Sequence, residues 1–122
     1  MVELKNNKIY ILDGAMGTEI QQREISPEYF FFEDKICEGL NDILCLTNPN
    51  VIESIHKQYI AAGANIIETN SFNANYISAQ DYCLSDGVID KINYESARIA
   101  KRAADSTNNP VLVAGVLGPT SK

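Results

Sequence analysis

Residues able to do chemistry gather at three places, each just after an apolar run. Asp13 and Gly14 follow the aromatic-aliphatic run in "YILDGAMGTEI". Glu68, Thr69, Asn70 and Ser71 follow two isoleucines in "NIIETNSFN". Thr120 lies beyond "VLVAGV", in "LGPTSK". A carboxylate beside open amides can hold both ends of an amino acid. Asp13 would accept from an ammonium, and the amides of residues 14–18 would face an anion such as a carboxylate. Asp-Gly is also a common turn dipeptide, and by itself it leaves both readings open. No G-x-x-x-x-G-K-[ST] or G-x-G-x-x-G sequence is present, so a phosphate loop is not indicated.

The other candidates divide by position. Glu68 either faces the site or pairs with a buried cation. Thr69 and Ser71 are two apart and share one side if the strand continues. Asn70 and Asn73 are read as satisfying loop backbone. His56, the single histidine, falls in mid-helix and is read as a surface or boundary residue, neither base nor ligand. Nothing places a serine nucleophile near it, so Ser-His-Asp catalysis is not indicated. Cys37, Cys45 and Cys83 are widely spaced and include no Cys-x-x-Cys pair. They read as small apolar fillers in a reducing compartment.

These residues need elements to bring them together. "KIYIL", residues 8–12, reads as a strand stopped by Asp13-Gly14. Residues 17–23 suit a short helix, and residues 24–41 an irregular connection whose "YFFF" needs packing partners. Asn48-Pro49 starts a helix, with Asn48 as cap, Pro49 at the first position and Gly63 at the end. Residues 65–70 form a second strand. A second main helix runs over about 88–104, with Ile92, Ile99 and Ala103 on one face. Residues 111–116 form a third strand, continuously apolar as when both faces are covered. Alternating strands and helices indicate α/β architecture with a parallel sheet. Parallel strands end on one face, where ligands bind, so Asp13, Glu68, Thr69, Asn70, Ser71 and Thr120 are expected to converge.

Composition excludes some classes of partner. The chain of 122 residues is enough for one small domain, and 45% of it is hydrophobic. With 16 acidic against 10 basic residues, it offers no cationic surface for nucleic acid or an anionic membrane. No apolar run approaches the ~20 residues of a membrane span, and the N-terminus lacks a signal-peptide core. A cytoplasmic location is expected.

Three blocks, "LDGAMGTEIQ", "NDILCLTNPNVIESIHKQYIAAGANIIETNSFNA" and "VAGVLGPTSK", closely resemble the homocysteine-binding region of cobalamin-dependent methionine synthases. The resemblance runs from about Ile9 to the last residue. Among homocysteine methyltransferases, the middle block looks most like the cobalamin-dependent branch. The resemblance implies a (β/α)8 TIM barrel. It also implies zinc held by three cysteines, which binds homocysteine as thiolate, and methyl transfer from methylcobalamin to give methionine. Carried over, Asp13 would bind the homocysteine ammonium and the Gly14 amide its carboxylate, with Thr69 as a weaker candidate. Glu68, Asn70, Ser71 and Thr120 would line the site.

Such a barrel takes ~250 residues. Residues 1–122 are therefore expected to form its N-terminal part: about three parallel strands with two crossover helical segments, lacking the later strands and the zinc cysteines. None of Cys37, Cys45 and Cys83 matches the family's zinc positions, so neither zinc nor methylcobalamin is expected to bind this stretch alone. Open sheet edges imply completion by the rest of a synthase polypeptide or by a self-associated copy. The isolated chain is expected to be unstable or oligomeric, and inactive. The competing reading is a non-catalytic remnant or an assembly module that keeps only the front of the barrel.

Overall fold

The computed structural model describes residues 4–120. Helix α1 (Met16–Gln22) follows the Asp13 segment. The stretch expected to be irregular is instead ordered. A 3-10 turn at Pro27–Phe30 leads into a hairpin of β1 (Phe31–Phe32) and β2 (Lys35–Ile36), paired antiparallel as Phe31↔Ile36 and Phe32↔Lys35. Glu33 and Asp34 both take positive φ, 49° and 62°. That is the two-residue hairpin geometry that glycine or asparagine usually signals, and a Glu-Asp pair carries no such signal. Tyr29, Phe30 and Phe32 pack into core clusters, while Phe31 is half exposed.

After a 3-10 turn at Asn41–Ile43 come α2 (Leu44–Thr47) and α3 (Pro49–Ala61). Pro49 occupies the first turn of α3 as expected, but the Asn48 side chain makes no capping hydrogen bond. Gly63 takes φ of +114°, the left-handed conformation that ends a helix. Then follow β3 (Ile66–Glu68), α4 (Tyr76–Ala79), α5 (Asp86–Asp105) and β4 (Leu112–Ala114). Ser85 caps α5, its hydroxyl accepting from the Val88 amide at 3.3 Å.

β3 and β4 pair in parallel, with Ile66↔Leu112, Ile67↔Val113 and Glu68↔Ala114 in register. On the other side of β3 the expected first strand is reduced to one parallel bridge, Leu12↔Ile66. The Ile11 carbonyl accepts from the Asn65 and Ile66 amides, and the Asp13 amide donates to Ile66. Beyond that bridge Ile9 and Ile11 are 90% and 56% exposed. The Ile11 amide also donates to Asn65 Oδ1 at 3.1 Å, but among the described residues no strand pairs with residues 8–11. The architecture is therefore mixed α/β with a small parallel sheet, rather than three full strands.

The core explains the helix placement. Ala100, Ala103 and Ala104 of α5 pack with Ile67 and Ala64, so small side chains let α5 lie close on the sheet. Ile52 and Ile55 of α3 meet Ile99 of α5. Ile92, Ile99 and Ala103 are all fully buried, as their spacing indicates. His56 is also fully buried, which corrects its reading as a surface or boundary residue. Both its ring nitrogens lack hydrogen-bond partners, and burial depresses its pKa to about 4. Among the described residues no helix is long and apolar enough to cross a membrane.

Candidate ligand pocket at the strand ends

A cavity of about 490 Å³ opens where the Leu12 segment, β3 and β4 end. Asp13, Gly14, Glu68, Thr69, Asn70 and Ser71 all line it, as parallel strands ending on one face require. Thr120 does not. It lies exposed beyond the cavity, and Val116 represents the third strand's exit instead.

Asp13 is the pivotal side chain. Its Oδ2 accepts from the Glu68 amide at 3.0 Å, which ties the segment's end to β3. Its Oδ1 is buried without a hydrogen-bond partner. Burial, together with the charge of Glu68 beside it, raises the Asp13 pKa to about 6. An unmatched buried acceptor on a residue that lines a cavity is an uncommon arrangement.

The next residue is fixed by its neighbour. A Cβ added to Gly14 would stand 2.9 Å from the Tyr59 hydroxyl oxygen and 3.0 Å from a ring carbon. Tyr59 comes from α3, and its hydroxyl donates to the Ala15 carbonyl at 2.9 Å. Among the described residues nothing accepts from the Gly14 amide.

Thr69 and Ser71 do share one side, their hydroxyls 2.7 Å apart. The Val116 amide donates to Thr69 Oγ1 at 3.0 Å, and Ser71 Oγ donates to the Val116 carbonyl at 3.0 Å. Because Ser71's one proton goes to that carbonyl, Thr69 must donate to Ser71. The closed ring joins the exits of β3 and β4. Asn70 Nδ2 donates to the Asn41 carbonyl at 3.1 Å, a loop-backbone role as expected. Asn73 contributes its amide, which donates to Asp42 Oδ2 at 2.8 Å.

Asp42 was not singled out in the sequence. It is 2% exposed, lines the cavity, and is raised to about 6 by burial against the opposing effect of backbone donors at Asn73 and Ala74. Its sequence context, an Asn-Asp pair before "ILCL", resembles an ordinary helix start.

Cys45 is buried and its thiol is pushed up to about 12 by burial and the nearby Asp42 charge. Its Sγ donates to the Asn70 carbonyl at 3.5 Å. Cys37 is buried elsewhere, against the Lys35 carbonyl, and Cys83 is exposed. Among the described residues no three His, Cys, Asp or Glu side chains come together as a metal site. This donor set does not fit a thiolate-bound zinc ion.

Comparison with known proteins bears on this geometry. The Escherichia coli homocysteine methyltransferase MmuM in its metallated form superposes with a TM-score of 0.75 at 24% identity, over 93% of this chain. The oxidized form gives 0.74 at 26% identity, over 91%. The chain spans 39% and 37% of the length of those two structures. The family model for homocysteine S-methyltransferase matches residues 10–122, so the chain belongs to the homocysteine S-methyltransferase family.

Proposed function

We propose that this chain supplies the amino-acid-binding part of a homocysteine S-methyltransferase of the cobalamin-dependent methionine synthase type. Its fold would be the first portion of a (β/α)8 barrel. The observation that carries the reading is Asp13, which lines the cavity and whose Oδ1 is buried without a hydrogen-bond partner. Asp13 takes the homocysteine ammonium, and the Gly14 amide takes its carboxylate. At neutral pH an Asp13 pKa of about 6 leaves the carboxylate mostly ionised, as an ammonium requires. Binding is then lost as pH falls through that value.

Thr69 and Ser71 act here by holding the cavity's walls together, since their hydroxyls are taken up by Val116 and by each other. Glu68 stands beside Asp13 as a second negative charge facing the ammonium. Methyl transfer to the homocysteine sulfur, with methylcobalamin as donor and methionine as product, belongs to this reading through the family. The residues described here anchor the amino-acid end and do not assemble a zinc site, so activation of the sulfur falls to other residues.

Titration calorimetry of the chain with L-homocysteine tests the proposal. Saturable binding that Asp13→Asn weakens by at least about tenfold supports it, the loss expected when a charge-assisted hydrogen bond becomes a neutral one. Equal affinity in the two proteins refutes it.

A further inference from the structure

We infer that Tyr59 is a positioning residue for the Asp13 carboxylate, acting from outside the cavity. The inference rests on the amino-acid-binding reading above. Tyr59 is not among the cavity's lining residues. It reaches from α3 to the outer side of the Asp13 turn and donates its hydroxyl proton to the Ala15 carbonyl at 2.9 Å. Its ring fills the space where a Gly14 side chain would begin, with three ring-side atoms within 2.9–3.2 Å of that point.

The turn is therefore pinned at two places. Asp13 is fastened to β3 through its amide, which donates to Ile66 at 2.9 Å, and through Oδ2, which accepts from Glu68. Ala15 is fastened to α3 through Tyr59. Between the two pins stands one residue, Gly14, which has the widest backbone freedom of any amino acid. Glycine lets the Tyr59 ring lie against the turn, since a Cβ there would stand 2.9–3.2 Å from its hydroxyl and ring atoms. The glycine's freedom must then be restrained, or the turn would sample orientations that take Asp13 out of the cavity's lining. The Tyr59 hydroxyl supplies that restraint. Burial and the charges of Glu19 and Asp13 hold the hydroxyl's pKa above its ordinary value, so it is a donor at neutral pH. Restraint before binding leaves less ordering to be done by the ligand.

Tyr59→Phe keeps the ring against Gly14 and removes only the hydroxyl. Calorimetric titration of the full chain with L-homocysteine, run as a double-mutant cycle with Asp13→Asn, tests the role. The expected result is a roughly 3- to 10-fold weaker affinity for Tyr59→Phe, the range of one neutral hydrogen bond. The same substitution in the Asp13→Asn background should cost little, because Tyr59 acts through Asp13. An undiminished affinity, or the same loss in both backgrounds, overturns the positioning role while leaving the reading of the site intact. Failure of the unsubstituted chain to bind homocysteine, or of Asp13→Asn to weaken binding, overturns that reading and the Tyr59 role with it.

Discussion

Asp42 Oδ2 accepts the amide proton of Asn73 at 2.8 Å, across 31 positions of sequence. This partly buried bond fastens the segment that follows β3 to the start of the α2 region. The Asn70 Nδ2 bond to the Asn41 carbonyl joins the same two segments.

Removing that carboxylate should therefore weaken the fold. Asp42→Ala leaves a buried amide without its acceptor and is expected to cost about 1.5–3 kcal/mol. Asp42→Asn keeps an acceptor and should cost less. Urea unfolding of the two variants measures the difference, and equal midpoints would show the bond to be unimportant.

Acid should act on stability in two opposed ways. Asp13 and Asp42 have folded pKa values of about 6, above the ordinary 3.8. Between those values the folded chain binds protons that the unfolded chain does not, so both groups add stability as pH falls from about 6 toward 4. His56 has a folded pKa of about 4 against 6.5. There the unfolded chain binds the extra proton, so stability is lost as pH falls through that window. His56→Leu removes the opposing group. Its unfolding midpoint in urea should rise on acidification from pH 7 to 5 relative to that of the unsubstituted chain.

Gly118 should tolerate no side chain. A Cβ there would lie 1.7 Å from the Phe72 carbonyl oxygen, and that carbonyl belongs to backbone that cannot rotate aside. Gly118→Ala is expected to cost about 1–3 kcal/mol or more through forced displacement. At Gly115 a Cβ meets nothing within 4 Å, so Gly115→Ala should change stability by no more than about 0.5 kcal/mol. Chemical denaturation of both variants makes the comparison.

The Thr69–Ser71–Val116 ring should behave as a unit. Ser71→Ala removes a donor to Val116 and an acceptor from Thr69, at about 1–3 kcal/mol. Adding Thr69→Val should then cost less than Thr69→Val does alone. A double-mutant cycle in urea checks this, and strict additivity would mean that the hydroxyls act separately.

The long regular elements were legible in the sequence because their signals are local. Pro49 and Gly63 mark the limits of α3, and the spacing of Ile92, Ile99 and Ala103 marks the buried face of α5. Strands β3 and β4 were legible as apolar runs, and their shared direction brought Asp13, Glu68, Thr69, Asn70 and Ser71 to one cavity. Features that depend on a distant neighbour were not legible. Residues 8–11 have strand character, but the parallel bridge falls at Leu12, and among the described residues no strand pairs with them. The β1–β2 hairpin turns on Glu33 and Asp34, which lack the usual turn signature. His56 is polar by type and buried by the packing of its helix. Asp42 matters only because Asn73 comes to meet it.

The Leu12↔Ile66 bridge has a dynamic consequence. An edge held by so few pairings opens at lower free energy than a packed helix, and local opening exposes its amides to exchange. Asp13 is carried on that edge. Its fraying and the disassembly of the pocket are one event, because the Glu68 amide is released when Asp13 leaves. A ligand gripping Asp13 would thus slow hydrogen exchange at Asn65, Ile66 and Glu68, residues it need not touch, by mass action on the closed edge.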